Sequence, residues 1–378
     1  MRVAVVGGGP AGTLLARELA KDGAVVTLFD HSHPREKPCG GGLTAKALAL
    51  LPEAPADDPL PARQVDECLF DSGDGEAVRV SLRKPVAVAA RMALDGWVVR
   101  RAGEAGARHV AQRVVAVDAG GRLRTTDGQQ QSFDLVVGAD GASSLVRRTF
   151  LGPLPRQRLM MTAGWFARGT APMVVRFTPG LGGYLWFFPR PDHVGVGICA
   201  PLASVPTRDM LTRLEREVAH HFPALLDDES GRYAHTIPSP SADPRSILEI
   251  AGDRFALVGD AAALADPITG EGIYYALRSA RVLAETLRED GSARRYPERA
   301  LESFGRELLL AARLRARFFA PGFSRRMVRY AARSGAIRKV LGDLVLGEQG
   351  YNGLKRRLIR AAPRFLVESA LHRLLPAA

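Results

Sequence analysis

Three glycine-bearing stretches carry the residue types that can bring a main chain against an anionic ligand. The first, Gly7-Gly8-Gly9-Pro10-Ala11-Gly12, sits between an apolar run, Arg2 to Val6, and Leu14, Leu15, Glu18 and Leu19 in helical register. In this G-x-G-x-x-G unit Gly7 makes the tight turn, Gly9 lets a pyrophosphate approach, and Gly12 lets helix and strand pack. Pro10 and Ala11 open the helical pattern that follows. A second apolar run, Ala24 to Phe29, ends at Asp30, which is placed to bond a ribose hydroxyl. Strand, turn, helix and acidic residue in that order predict a dinucleotide site; the competing reading is a glycine-rich turn in some other βαβ unit.

The second stretch runs from Gly259 through Asp260, Pro267, Gly270, Glu271 and Gly272 to Ile273. It follows a short apolar run, Phe255 to Val258, and precedes a helical pattern from Tyr274 to Leu287. Gly270 and Gly272 allow close approach of the main chain, and the helix beginning there points its N–H groups outward. Alone, this stretch fits either an anion site or an ordinary turn. The third, Gly138-Ala139-Asp140-Gly141, ends the strand Phe133 to Val137, and the serines after it are placed to cap a helix.

Two further segments offer reactive or ring-shaped side chains. In Lys37-Pro38-Cys39-Gly40-Gly41-Gly42 the glycines let a ligand ring lie on the main chain beside Cys39, although a free cysteine also serves as a small buried filler. Gly183-Tyr184-Leu185-Trp186-Phe187-Phe188-Pro189 alternates, so Tyr184, Trp186 and Phe188 share one face of a strand and Leu185 and Phe187 the other. One face fits the wall of an apolar tunnel; an aromatic core strand has the same pattern.

The elements that position these residues follow from the rest of the chain. Residues 65 to 90 read as strand and turn, Asp95 to Gly106 as a helix, Val110 to Val117 as a strand, and Gly120-Gly121 as a hairpin turn. At 378 residues the chain has room for about two or three domains. Three cysteines, Cys39, Cys68 and Cys199, make no even framework, which points to a reducing compartment. A strand starting at residue 2 leaves no room for a leader in this sequence, and no apolar run reaches membrane-spanning length. The expected location is the cytoplasm, with any membrane attachment from one side. His31, His33 and the pair His220 and His221 lack further ligands at metal-site spacing, so no metal is expected.

The net charge of +12 is concentrated at one end: residues 291 to 378 hold 19 Lys and Arg against 6 Asp and Glu. Leu301, Phe304, Leu308, Ala312 and Phe319 fit one helix face there, and Ile337, Val340, Leu341, Leu344 and Val345 another. Lys355, Arg356, Arg357 and Arg360 lie beside Leu354, Leu358 and Ile359 on a basic amphipathic segment suited to an anionic membrane surface. A solvated basic face has the same composition. A nucleic-acid partner is not expected, since exposed aromatics do not interleave with the charge.

The three glycine stretches, in their order and approximate spacing, resemble those of flavoprotein hydroxylases similar to p-hydroxybenzoate hydroxylase. The resemblance implies FAD, with Asp260 on the ribityl hydroxyls and the Gly270 to Ile273 amides near the flavin's pyrimidine edge. Within that superfamily, Tyr184, Trp186, Phe188, Pro189 and the following Val194-Gly195-Val196-Gly197 resemble the Y-x-W-x-F-P…G-x-G signature of the geranylgeranyl reductase family. The Lys37 to Gly42 loop resembles that family's flavin-side loop. Flavin-dependent halogenases carry W-x-W-x-I-P, where this chain has Tyr184 and Phe188.

The fold so implied is α/β: a Rossmann-like FAD-binding domain (1–64, 87–150 and 245–290), a β-sheet substrate domain (65–86 and 151–244) and a basic helical C-terminal region (291–378). The cofactor-binding residues implied are Gly7, Gly9, Pro10, Ala11, Gly12, Asp30, Cys39, Gly40, Gly41, Asp140, Gly141, Gly259, Asp260, Pro267, Gly270, Gly272 and Ile273. Gly42, Tyr184, Trp186, Phe188 and Pro189 are the substrate candidates, and Cys39, Tyr184 and Trp186 the catalytic ones. The activity implied is saturation of isoprenoid double bonds by hydride from reduced flavin. A monooxygenase on an aromatic or polyketide-like substrate and a flavin-containing lipid-binding protein without turnover remain alternatives. No second G-x-G-x-x-G unit indicates a nicotinamide domain, so NAD(P)H docking transiently, or a small redox protein, would supply electrons.

Overall fold

Apolar runs such as Val3-Ala4-Val5-Val6 can be satisfied only by burial on both faces, and four of them align in a parallel sheet that a fifth, more exposed strand closes at its edge. Its strands, in spatial order, are Phe255–Leu257, Leu135–Gly138, Arg2–Val6, Val25–Phe29 and Arg108–Val110. The helix Pro10–Lys21 packs against both Arg91–Glu104 and Ile273–Asp290. A three-stranded antiparallel sheet, Val114–Val117, Arg122–Thr125 and Gln130–Ser132, leads into the strand Leu135–Gly138. The computed structural model describes residues 1–226 and 231–361. The last stretch of the basic region, 362–378, lies outside the described residues.

The second large sheet has eight strands: Tyr233–Pro238, Leu159–Ala167, Val194–Pro201, Gly183–Pro189, Val174–Thr178, Arg63–Asp71, Ala77–Val88 and Gly42–Leu43. All neighbours are antiparallel except Val174–Thr178 and Arg63–Asp71. Alternation assigns its two faces. Leu185 and Phe187 point with Val194, Val196 and Ile198 towards the helix Thr207–His221, which answers with Met210, Leu214 and Val218 at four-residue spacing. Tyr184, Trp186 and Phe188 point the other way.

That other face is partly covered by the C-terminal helices Arg306–Phe318, Phe323–Arg333 and Gly335–Val345. Val328, Ala331, Leu341 and Leu346 pack on Cys68, Phe70, Val80 and Phe177 of the sheet. The C-terminal region therefore builds core rather than standing apart as a solvated appendage, although residues 354–361 leave it as an exposed helical segment.

Two expected elements differ. The strand expected over 110–117 is broken, because Gln112 N–H turns back onto Val110 O at 2.8 Å; Arg108–Val110 closes the parallel sheet and Val114–Val117 opens the small one. The helix expected from Asp95 begins at Arg91, since Glu36 accepts from the Arg91 and Met92 N–H groups at 3.0 Å each and supplies the missing cap from a distant loop. The hairpin turn falls where expected, with Gly121 at φ +81°.

Leu346 is almost wholly buried against the sheet. Leu346→Ala is expected to lower unfolding free energy by about 2–5 kcal/mol, measured by urea denaturation. A loss below about 1 kcal/mol would show that the C-terminal helices do not share the sheet's core.

Candidate functional site

The first and third glycine stretches meet because their strands are parallel neighbours. Gly7, at φ +107°, lies so close to the Leu135–Gly138 strand end that a Cβ there would be 2.3 Å from Ala139 O. A Cβ on Gly12 would be 1.9 Å from Gly7 O, so Gly12 is the packing glycine beneath the turn. Gly9 caps the helix, with Pro10 as its first residue, and leaves the first-turn N–H groups facing the cleft. Asp30 stands at the second strand's end as expected, with its carboxylate accepting from Gly8 N–H at 2.6 Å and Ser32 N–H at 2.7 Å. Burial opposes its charge, but these bonds outweigh it and hold the carboxyl below the usual range. Asp140 accepts from Leu145 N–H at 2.6 Å through one oxygen, while its other oxygen is buried without a partner. Burial raises its pKa despite the bonds.

At the Gly259–Ile273 stretch, Asp260 pairs with Lys37 at 2.9 Å. Burial again opposes the charge, and Lys37, His235 and Arg91 together hold Asp260 below the usual carboxylate range. Tyr184 Oη donates to Thr269 O, and a Cβ on Gly270 would be 2.7 Å from Tyr184 Oη. Burial pushes the Tyr184 phenol well up, so it keeps its proton. Glu271 is held by Lys46 at 2.7 Å and Thr44 at 3.2 Å. Gly272 caps the helix Ile273–Asp290 at the edge of the cleft.

The Lys37 to Gly42 loop is pressed between the two sheets. Gly41, at φ +82°, would put a Cβ 2.1 Å from Ala89 O, and the Phe188 ring sits against Gly40 and Gly42, where a Cβ would come within 2.7 and 3.1 Å of it. Cys39 Sγ accepts from Gly41 N–H at 3.3 Å. Behind the loop, Arg190 is fully buried. It donates to Glu36 Oε1 at 2.8 Å and Cys39 O at 2.7 Å, sits 2.9 Å from His193 Nε2 and stacks over Phe166. Glu36 in turn caps the helix Arg91–Glu104. Arg190 thus ties the aromatic strand's end to the loop bearing Cys39.

These parts enclose one continuous cavity of about 900 Å³. Gly7, Gly9, Pro10, Ala11, Asp30, Asp140 and Gly141 line one end; Cys39, Gly40, Gly41, Asp260, Gly270, Gly272 and Ile273 the middle. Gly42, Tyr184, Trp186 and Phe188 line an apolar end with Phe70, Met173, Val175 and Phe177, closed by Phe318, Leu341, Leu344 and Val345 from the C-terminal helices. Four expected residues are not on the wall. Gly12 and Gly259 pack beneath it, Gly259 donating its N–H to Ser279 Oγ at 3.0 Å. Pro267 lies behind the turn, and Pro189 is buried at the strand's end opposite Val194. Pro189 is turned from the cavity because strand alternation puts it on the Phe187 face.

Several wall residues had no local signature. Arg91 is locked to Asp95 by two bonds at 2.8 and 2.7 Å and faces Gly9; its only sequence signal is the four-residue spacing to Asp95. His235 and Thr162 reach the wall from strands whose register only the sheet reveals. Burial, with Lys37 and Arg91 nearby, lowers His235 to about 4, leaving a neutral imidazole whose Nε2 has no partner.

A glycine turn on a helix N-terminus, an Asp-Gly strand end beside it and a third glycine stretch opposite define a flavoprotein of the α/β nucleotide-binding class. Residues 1–313 match the FAD binding domain family. The chain is 32% identical to menaquinone reductase of Mycobacterium tuberculosis over 339 residues, 82% of each chain. It is 29% identical to geranylgeranyl diphosphate reductase of Synechocystis sp. over 319 residues, 76% of this chain and 75% of that one. In structure it resembles a geranylgeranyl bacteriochlorophyll reductase-like protein of Thermoplasma acidophilum, with TM-score 0.74, 21% identity and coverage of 95% and 98%. A flavin-dependent brominase shares the fold at TM-score 0.72 and 19% identity, covering 96% and 98%. The chain belongs to the FAD binding domain family and, within it, to the geranylgeranyl reductase family of FAD-dependent oxidoreductases.

The residues present fit FAD. Main chain at Gly7, Gly41 and Gly270 tolerates no Cβ, and the orphaned Asp140 oxygen and His235 nitrogen are polar atoms a nucleotide can satisfy. Arg190→Met removes one partner of a buried ion pair. It is expected to cost about 3–5 kcal/mol and to lower flavin content, read from the melting temperature and the FAD to protein ratio. An unchanged ratio and melting temperature would refute the clamp.

Proposed function

We propose that this protein saturates carbon–carbon double bonds of an isoprenoid, geranylgeranyl-type chain. The observation that carries the reading is the continuity of the nucleotide cleft with an apolar chamber walled by Trp186, Phe188, Phe70, Met173 and Phe177. The names of the relatives support it, being reductases of a geranylgeranyl diphosphate and of menaquinone. When bound, reduced FAD would supply the hydride.

An isolated alkene offers no carbonyl for a protein to polarise, so what the chain contributes is position and dryness. The aromatic strand lays the substrate along its rings, Tyr184 fixes that strand to the Thr269 turn, and the C-terminal helices close the chamber to water. The helix opening at Ile273 would stabilise negative charge at the flavin's edge. Cys39, beside the ring space, is the group placed to hold or pass the proton that the second carbon needs; Tyr184 is a positioning residue. Electrons would come from NAD(P)H or a small redox protein.

A bilayer is where such a substrate resides, and the helical segment 354–361 supports contact with one. Leu358 and Ile359 are exposed there, at 38% and 61%, beside exposed Lys355, Arg356 and Arg360. Anionic headgroups contribute about 1 kcal/mol per basic side chain. We therefore place the protein in the cytoplasm, at the membrane's surface.

Mass spectrometry of geranylgeranyl lipids after anaerobic incubation with dithionite-reduced enzyme tests the reading. Stepwise gain of two hydrogens is expected. No anaerobic product, together with oxygen incorporated into an aromatic substrate when NADPH and air are supplied, would overturn it in favour of a monooxygenase.

A further inference from the structure

The apolar end of the cavity has two kinds of wall. Side chains of the larger sheet form one, and Phe318, Leu341, Leu344 and Val345 of two C-terminal helices form the other. Leu341 and Val345 pack into the cluster that holds the helix Gly335–Val345 on the sheet, with Cys68, Phe70 and Val80. Leu344 packs instead on Ile268, Ala311 and Tyr351, and Phe318 is shared by both clusters. The helices Arg306–Phe318 and Gly335–Val345 do not pack along their lengths, and among the described residues no hydrogen bond or ion pair joins them.

The polar fastenings lie around this seam rather than across it. Tyr351 donates its N–H to Glu307 at 2.8 Å and its Oη to Asp266 at 3.0 Å, while Arg357 donates to Gln349 at 2.9 Å and to Asp343. At Phe318 and Leu344 the chamber is closed by contact between hydrocarbon groups alone. A hydrocarbon ligand replaces such contacts like for like, which it cannot do for a hydrogen bond.

From the seam an apolar line leads outward. Leu354, which is not on the cavity wall, packs on the same three residues as Leu344, and it opens the helical segment 354–361. Leu358 stands one turn further on, on the same side of that segment. Leu354 and Arg357 are half-buried, whereas Lys355, Arg356, Leu358, Ile359 and Arg360 are exposed, so the outer side sets two apolar side chains among three cations. The other end of the cavity, at Gly9, Asp30 and Asp140, is where FAD would lie, and a substrate needs a separate way in.

We propose that the seam between Phe318 and Leu344, beneath Leu354, is the mouth through which an isoprenoid chain passes from an anionic bilayer into the chamber, with the outer side of segment 354–361 seated on the headgroups. This rests on the isoprenoid reading above and adds the route of entry and the side of the molecule that meets the membrane. The three cations complement the anionic surface, and Leu358 and Ile359 enter the acyl boundary. The chain then moves from lipid past Leu354, Leu344 and Phe318 without crossing water.

FAD-loaded, photoreduced protein is mixed anaerobically with a geranylgeranyl lipid, carried in phosphatidylglycerol vesicles or in detergent micelles, and flavin reoxidation is followed. The second-order rate at low substrate reports entry, and the plateau at high substrate reports reaction. Leu344→Trp, which narrows the mouth, is expected to lower the entry rate at least about fivefold more than the plateau, and Leu344→Ala to leave entry as fast as in the wild type or faster. An equal loss of entry and plateau, or no loss, would overturn the mouth. Leu358→Glu with Ile359→Glu is expected to slow turnover from vesicles about tenfold and from micelles less than about threefold, and it serves if the tryptophan variant does not fold. The same effect on both carriers would count against the proposal. Leu358→Trp is expected to be quenched by brominated phosphatidylglycerol, and Val115→Trp, exposed at the nucleotide end, is not. The reverse pattern would put the membrane on the wrong side. If the wild type reoxidises with micelle-borne lipid but no variant separates entry from reaction or vesicles from micelles, the mouth fails and the reductase reading stands. If no geranylgeranyl lipid reoxidises the flavin from either carrier, both fall.

Discussion

A guanidinium with no exposed surface has to be answered by oxygen on several sides, and Arg190 is answered by the Glu36 carboxylate and the Cys39 carbonyl. Those two partners lie on one loop, between the nucleotide sheet and the substrate sheet, and Arg190 directly follows the aromatic strand. Glu36 passes the constraint on to the N-terminus of the helix Arg91–Glu104, whose first residue faces the glycine turn. One buried charge thus sets the distance between the loop with Cys39, the aromatic wall and the nucleotide site. The close contacts of Phe188 with Gly40 and Gly42 follow from it, since no other residue type leaves room for the ring.

Much of this was legible in the sequence wherever a local pattern carried the information. The glycine turn, the acidic residue after the second strand and the alternation at Tyr184, Trp186 and Phe188 each rest on spacing that one element fixes. The face assignment of that strand followed from period two alone, and the structure puts Leu185 and Phe187 under the helix Thr207–His221. What stayed hidden depends on register or on distant partners. Thr162 comes to lie between His235 and Cys199 only through sheet pairing, and the helix starts at Arg91 because a carboxylate 55 residues earlier caps it. The break at Gln112 was hidden for the same reason, an apolar run being unable to say which of two sheets each half joins.

The basic C-terminal region shows both outcomes within one segment. Its apolar positions at Val340 and Leu341 are buried, as helical spacing implied, and Leu341 also helps to close the chamber, which spacing could not show. Its charge is partly consumed in ion pairs, as where Arg329 meets Glu76 at 2.7 Å, and partly left exposed at Lys355, Arg356 and Arg360.

The central claim is that a flavin bound in the cleft and an isoprenoid in the chamber exchange a hydride directly. An anaerobic single-turnover titration tests it most directly: protein carrying fully reduced FAD is mixed with a polyprenyl substrate, and the flavin absorbance and the saturated product are measured together. The account predicts recovery of the oxidised spectrum without oxygen, with one bond saturated for each flavin reoxidised. A spectrum that stays reduced until air is admitted, with no saturated product, would contradict it.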